Sequence, residues 1–131
     1  MGFEGQELVG PNGFRLKLVR ITEEMLEMEG SYSGEGGLPP AHYHPHQDEH
    51  FEVLEGAVRA VVDGEDRRYV AGDAFDIPAC TPHQMTGDGP ARVHWEVRPA
   101  LRTVEFLERV YSGNPGADLL ETFADEFRLA G

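Results

Sequence analysis

With 131 residues the chain can bury one substantial core but not a second independent one, so a single domain over 1–131 is expected. Acidic residues outnumber basic ones 24 to 11, a formal charge of -13, which repels phosphate backbones and anionic membrane surfaces and argues against a nucleic-acid partner. The opening segment has neither a basic n-region nor an apolar run, no stretch is long enough to span a membrane, and a lone cysteine, Cys80, excludes an internal disulfide, a pattern that points to a cytoplasmic protein.

Between Gly13 and Pro99, short runs rich in Val, Phe, Leu and Tyr are broken by Gly, Pro and Asp at the spacing of consecutive antiparallel strands. Phe14, Leu16 and Leu18 form one apolar face of a first strand ending near Thr22. Met25–Tyr32 could be a short helix, but Gly30, Ser31 and Gly34 favour a strand. Glu49–Leu54 and Ala57–Val62 flank Glu55-Gly56, and Asp63-Gly64 turns the chain into Arg67–Val70. Ala74–Ile77, His83–Thr86 and Ala91–Val97 complete the series.

From Leu101 the period becomes helical, with Leu101, Val104, Leu107 and Tyr111 as the apolar stripe and Glu105 with Arg109 as an i,i+4 pair. Ser112-Gly113-Asn114 ends that helix. Asn114 is positioned to cap a second, with Pro115 at its first position and Leu119, Leu120, Phe123 and Phe127 on its apolar side. The expected architecture is therefore a barrel or sandwich over about 13–99 and a helical extension over about 100–130.

Four of the six histidines, His42, His44, His46 and His50, fall within nine residues, beside Asp48, Glu49 and Glu52. In an extended segment His42 and His44 share a face, close enough to hold one ion. Imidazoles joined by a carboxylate form a mixed nitrogen and oxygen set that suits iron, manganese, nickel, copper or zinc. His46 has the same parity, but Pro45 and the approaching turn favour a surface position, and His50, next to Glu49, should face the opposite side. His94 reads as an ordinary barrel histidine and Cys80 as a partly buried turn residue. Tyr43, Phe51, Phe75, Met85 and Trp95 are candidates for an apolar pocket, although such side chains more often fill a core.

Gly36, His42, His44, Glu49 and Gly56 match every position of G-x5-H-x-H-x4-E-x6-G, the first motif of the cupin superfamily, which the sequence thus resembles. Gly72, Pro78 and His83 match the second motif, G-x5-P-x-G-x2-H-x3-N, with Cys80 in place of its second Gly and Gly87 in place of its Asn. The short connection between the two motifs resembles that of compact single-domain bacterial cupins. The resemblance implies an all-β, antiparallel jelly-roll β-barrel, here with two C-terminal α-helices packed on it, in which His42, His44, Glu49 and His83 coordinate one divalent transition metal.

Four protein ligands would leave one or two positions free on an ion that prefers five or six, the arrangement of a reactive centre. Analogy with the superfamily places a metal-dependent enzyme acting on a small organic molecule first, with dioxygenase-like oxidation ahead of isomerase or lyase chemistry. The rival is a non-catalytic module that binds a small ligand or a metal as a sensor. Tyr43, His46 and Glu52 are general acid or base candidates by proximity alone, which assigns no catalytic residue. No organic cofactor is expected. The need to cover sheet edges, together with the family's habit of pairing through its sheets, favours a homodimer.

Overall fold

The computed structural model describes residues 2–130, in which two antiparallel sheets face each other as a jelly-roll barrel. The strands are β1 (Glu7–Val9), β2 (Arg15–Ile21), β3 (Leu26–Tyr32), β4 (His42–Tyr43), β5 (Asp48–Glu55), β6 (Ala57–Val62), β7 (Glu65–Val70), β8 (Ala74–Ile77), β9 (His83–Gly87), β10 (Ala91–Arg98) and β11 (Arg128–Leu129). Two short helices, α1 (Thr103–Tyr111) and α2 (Leu119–Thr122), lie between β10 and β11. One sheet runs β1-β2-β3-β10-β5-β8 and the other β11-β4-β9-β6-β7.

Period-two alternation sets which side chains enter the barrel. Leu16 and Leu18 of β2, Leu26 and Met28 of β3, Phe51 and Val53 of β5, and Val93 and Val97 of β10 are buried, while their neighbours face outward. Complete burial of each such side chain is worth about 1.5–3 kcal/mol. They form two groups. Phe51, Val53, Val58, Ala60, Phe75, Ile77, Ala91 and Val93 fill the space between the sheets. Leu8, Leu16, Leu18, Leu26, Met28 and Val97 instead pack with Ala100, Val104, Phe106, Leu107 and Phe123 of the C-terminal region. Trp95 touches both groups.

The strands expected between Phe14 and Val97 are present, Met25–Tyr32 among them. Both helices are present too, but the second is a single turn that begins at Leu119 instead of after Asn114. Gly116 has a φ of +86°, which an α-helix cannot contain, and Arg109 binds the intervening chain through the Pro115 carbonyl and the Asp118 carboxylate. Arg109 therefore makes these contacts where a pairing with Glu105 was expected. Strands β1 and β11, the latter antiparallel to β4, were not foreseen.

Candidate metal centre

On β5 the inward face reads Glu49, Phe51, Val53, so a carboxylate only 3% exposed enters the barrel in line with apolar side chains. A buried carboxylate needs partners. Glu49 Oε2 accepts a hydrogen bond from Trp95 Nε1 at 2.8 Å, across the register in which Trp95 stands opposite Phe51 and Val97 opposite Glu49. Oε1 faces the imidazoles of His44 and His83, which stand with His42 in a group of three. His42 lies at the start of β4, His44 directly follows that strand, and His83 opens β9, where it stands opposite His42. One ring nitrogen from each of the three lies within 4.8 Å of the others.

The ring orientations follow from the carbonyls around them. His42 Nδ1 donates to the Pro40 carbonyl at 3.1 Å, His44 Nδ1 to that of Glu126 at 2.7 Å, and His83 Nδ1 to that of Thr81 at 2.9 Å. Because a carbonyl only accepts, Nδ1 carries the proton in each ring and Nε2 presents a lone pair when the ring is neutral. Glu49 Oε1 is 3.1 Å from His44 Nε2 and 2.9 Å from His83 Nε2. These short approaches are electrostatic: both His44 Nε2 and Glu49 Oε1 are buried without a hydrogen-bond partner. When His44 is neutral, two acceptors face each other, an arrangement that a proton on His44 or a cation between them relieves.

Titration follows the same geometry. Burial and then the neighbouring His83 push His42 down to about 4, so it is neutral near pH 7. Burial also works against protonated His44, but the adjacent Glu49 and the Glu126 carbonyl outweigh it and raise the imidazole above its ordinary value. Burial alone would raise the Glu49 carboxyl, but His44 and then His83 more than reverse this and hold it well below the usual carboxylate range. Glu49 is thus ionised and His42 neutral, as a divalent metal requires, and the histidine triad can hold such an ion.

The centre forms part of the wall of a cavity of about 650 Å³ between the barrel and the C-terminal region. Of the expected pocket residues, Phe51, Met85 and Trp95 line it, but Tyr43 and Phe75 do not. Phe75 instead stacks between Phe51 and Tyr69, with ring centroids at 5.2 and 4.0 Å. None of the acid or base candidates Tyr43, His46 and Glu52 faces the cavity. Glu52 has the outward parity of β5, and exposed His46 lies 3.6 Å from Asp125. His50 faces the opposite side from Glu49, where it pairs with Asp76 at 2.7 Å, and His94 contacts Glu96 at 3.0 Å. Cys80 is exposed, contrary to expectation.

The sequence marked none of Tyr32, Tyr111, Gln47, Glu126 and Phe127 as a cavity residue, although Tyr111 and Phe127 were expected on apolar helix faces. Burial raises the hydroxyls of both tyrosines, that of Tyr111 to about 12, so both are protonated donors at neutral pH. Gln47 ties the start of β5 to α1 by donating to the carbonyls of Pro99 and Ala100 and to Thr103 Oγ1, while its own Oε1 has no hydrogen-bond partner. Phe127 stacks on His42 with centroids 4.6 Å apart.

The Cupin domain family matches residues 33–97, which include both motifs. A quercetin 2,3-dioxygenase from Bacillus subtilis (strain 168) is 36% identical over 64 residues, 49% of this chain but only 19% of that protein. The solved structure of KdgF from a Halomonas species superposes with a TM-score of 0.66 at 27% identity, covering 73% of this chain and 88% of KdgF. An RmlC-like cupin from Shewanella frigidimarina NCIMB 400 superposes with a TM-score of 0.65 at 19% identity, covering 79% and 92% of the two chains, a likeness of fold.

Proposed function

Because this chain is a small protein of the cupin superfamily, we propose that it is a metal-dependent enzyme acting on a small organic molecule, with dioxygenase-like oxidation as its chemistry. In this reading His42, His44, Glu49 and His83 hold one divalent transition metal within a single domain. The observation that carries it is the gathering of three Nδ1-anchored imidazoles, two of which, His44 and His83, meet a buried carboxylate oxygen that lacks a hydrogen-bond partner, at the wall of a cavity. The partial match to a quercetin 2,3-dioxygenase supports the oxidative choice.

A bound iron, manganese, nickel or copper ion would supply Lewis acidity and a site for dioxygen, and zinc Lewis acidity alone. The chain's own residues select what approaches it. Phe51, Met85, Trp95 and Phe106 make the wall apolar, and no Lys or Arg stands among the described lining residues, whereas Glu35, Glu49 and Glu126 do. Such a wall favours a neutral molecule with oxygen donors over a carboxylate or phosphate. The protonated hydroxyls of Tyr32 and Tyr111 offer hydrogen bonds to its polar groups, and the Gln47 side chain lines the same space.

The test is metal analysis of the purified protein, followed by oxygen-uptake measurements with iron or manganese restored across a panel of catechols, diketones and flavonols. Uptake with at least one compound is expected, dependent on both the metal and Glu49. Absence of uptake with every metal and compound would overturn the oxygenase reading, and retained metal with saturable ligand binding would then identify a binding module. The open edges β1 and β8 of the larger sheet fit a homodimer, to be measured by light scattering.

A further inference from the structure

Two of the three imidazoles take their orientation from the far end of the chain. His42 and His83 donate to carbonyls two residues before themselves, but His44 donates to Glu126, 82 residues away. The next residue, Phe127, stacks on His42 at 4.6 Å and meets His44 at 6.0 Å, with Phe106 behind it at 4.8 Å. Arg128 and Leu129 then pair with Tyr43 and His42, and the Ala130 amide donates to Ala41 at 2.9 Å. On its other side the segment is held by Arg102, whose guanidinium donates to the Thr122 carbonyl at 2.5 Å and to Glu126 Oε1 at 3.4 Å, and whose amide donates to Glu126 Oε2 at 3.2 Å.

These contacts matter because β4 has only two residues and a single register pair to β9, His42 with His83. Without β11, the strand that carries His42 and leads into His44 would have one neighbour joined at one position. We propose that residues 126–129 are an integral support of the metal centre: Glu126, through its carbonyl, and Phe127, through its ring, are positioning residues for His44 and His42, so metal binding and docking of the C-terminal segment strengthen each other. The inference rests on the reading that the triad holds a metal. Coupling of this kind is reciprocal, since whatever the docked segment adds to metal affinity, the metal returns to docking. Glu126, Phe127 and Leu129 also line the cavity, so the same docking closes the ligand space.

The experiment uses the full chain with Mn(II), Zn(II) or Co(II) salts alone. Hydrogen exchange by mass spectrometry is followed with and without metal, and affinity by calorimetric titration. In the wild type, metal is expected to slow exchange of the amides at 126–130 and 41–44 by about tenfold or more. Phe127→Ala should weaken metal binding about 10- to 100-fold, the range for groups that orient metal-bound histidines, and shift the visible bands of the Co(II) form. Phe127→Tyr, which keeps the ring, should restore both. Val58→Ala, a cavity-creating change on β6 in the core between the sheets, should lower stability while leaving affinity within about twofold.

If the wild type binds metal but exchange at 126–130 does not respond and Phe127→Ala keeps its affinity, the coupling is overturned and the metal reading stands. If the wild type binds none of the three metals, the metal reading itself fails and the coupling falls with it. The exchange measurement needs no variant, so it decides the question even if Phe127→Ala does not fold.

Discussion

Glu49 sits on the same strand face as Phe51 and Val53, where an unpaired carboxylate would cost several kcal/mol. Trp95 answers one of its oxygens and His44 and His83 approach the other. Replacing Glu49 or His44 by Ala is therefore expected to lower metal affinity by more than about 100-fold, read as metal content after desalting, and unchanged content would remove the ligand assignment. The same side chains give the metal-free protein a pH signature. His42 is depressed to about 4 from an ordinary 6.5, so its contribution to stability is present above pH 6.5 and lost as the pH falls towards 4. His44 is raised, so its contribution is present below the ordinary imidazole value and lost as the pH rises through its folded value. Thermal stability of the metal-free protein should peak near the ordinary imidazole pKa. The extra stability from added metal should instead grow with pH, because protons compete for the imidazoles. A metal-induced stabilisation that is flat between about pH 5 and pH 8 would contradict this.

At the scale of elements, the turn that presents His83 shows why the second motif carries a glycine where this chain has Cys80. Cys80 has a φ of +67°, in the left-handed region that costs a residue with a Cβ about 1–2 kcal/mol. The backbone keeps that conformation despite the substitution, with the Cys80 amide donating to the His44 carbonyl at 2.9 Å. Cys80→Gly is thus expected to stabilise the protein by about 1 kcal/mol in urea titration, without loss of metal binding. Gly56 is the opposite case. At a φ of +71°, with an added Cβ only 2.2 Å from the Pro90 carbonyl oxygen, Gly56→Ala should cost more than about 2 kcal/mol, because the clash is with backbone.

For the whole molecule, the charge of -13 means that long-range repulsion works against the compact state. Exposed pairs such as Arg59 with Asp66 and Arg68 with Asp88 answer only part of it, since solvent screens each of them. Raising the ionic strength from about 10 to about 200 mM should raise the melting temperature of the metal-free protein by a few degrees. Lower stability in salt would show that these surface pairs outweigh the net repulsion. The cavity between barrel and C-terminal region adds a second dependence. Free metal at about 100 times its Kd should add about 2.7 kcal/mol by mass action, which calorimetric melting at graded metal concentration would measure.

Strand positions, the inward parity of Glu49, Phe51 and Val53, and the outward fate of His50 were legible in the sequence, because each depends on period-two alternation and on turn residues a few positions away. His42, His44, Glu49 and His83 stood out as candidate ligands from spacing and motif resemblance alone. The sequence could not reveal that the second helix would shrink to one turn, that Tyr43 and Phe75 would miss the cavity, or that Glu126 and Phe127 would reach the histidines. A two-residue strand such as β11 has no periodicity to read. The contact between His44 and Glu126 joins positions 82 residues apart, and long-range pairings of that kind are decided by how helix α1, Arg102 and the barrel rim pack together. Local pattern determined the strands and the cluster of donors; tertiary packing decided which carbonyls orient them and which walls enclose them.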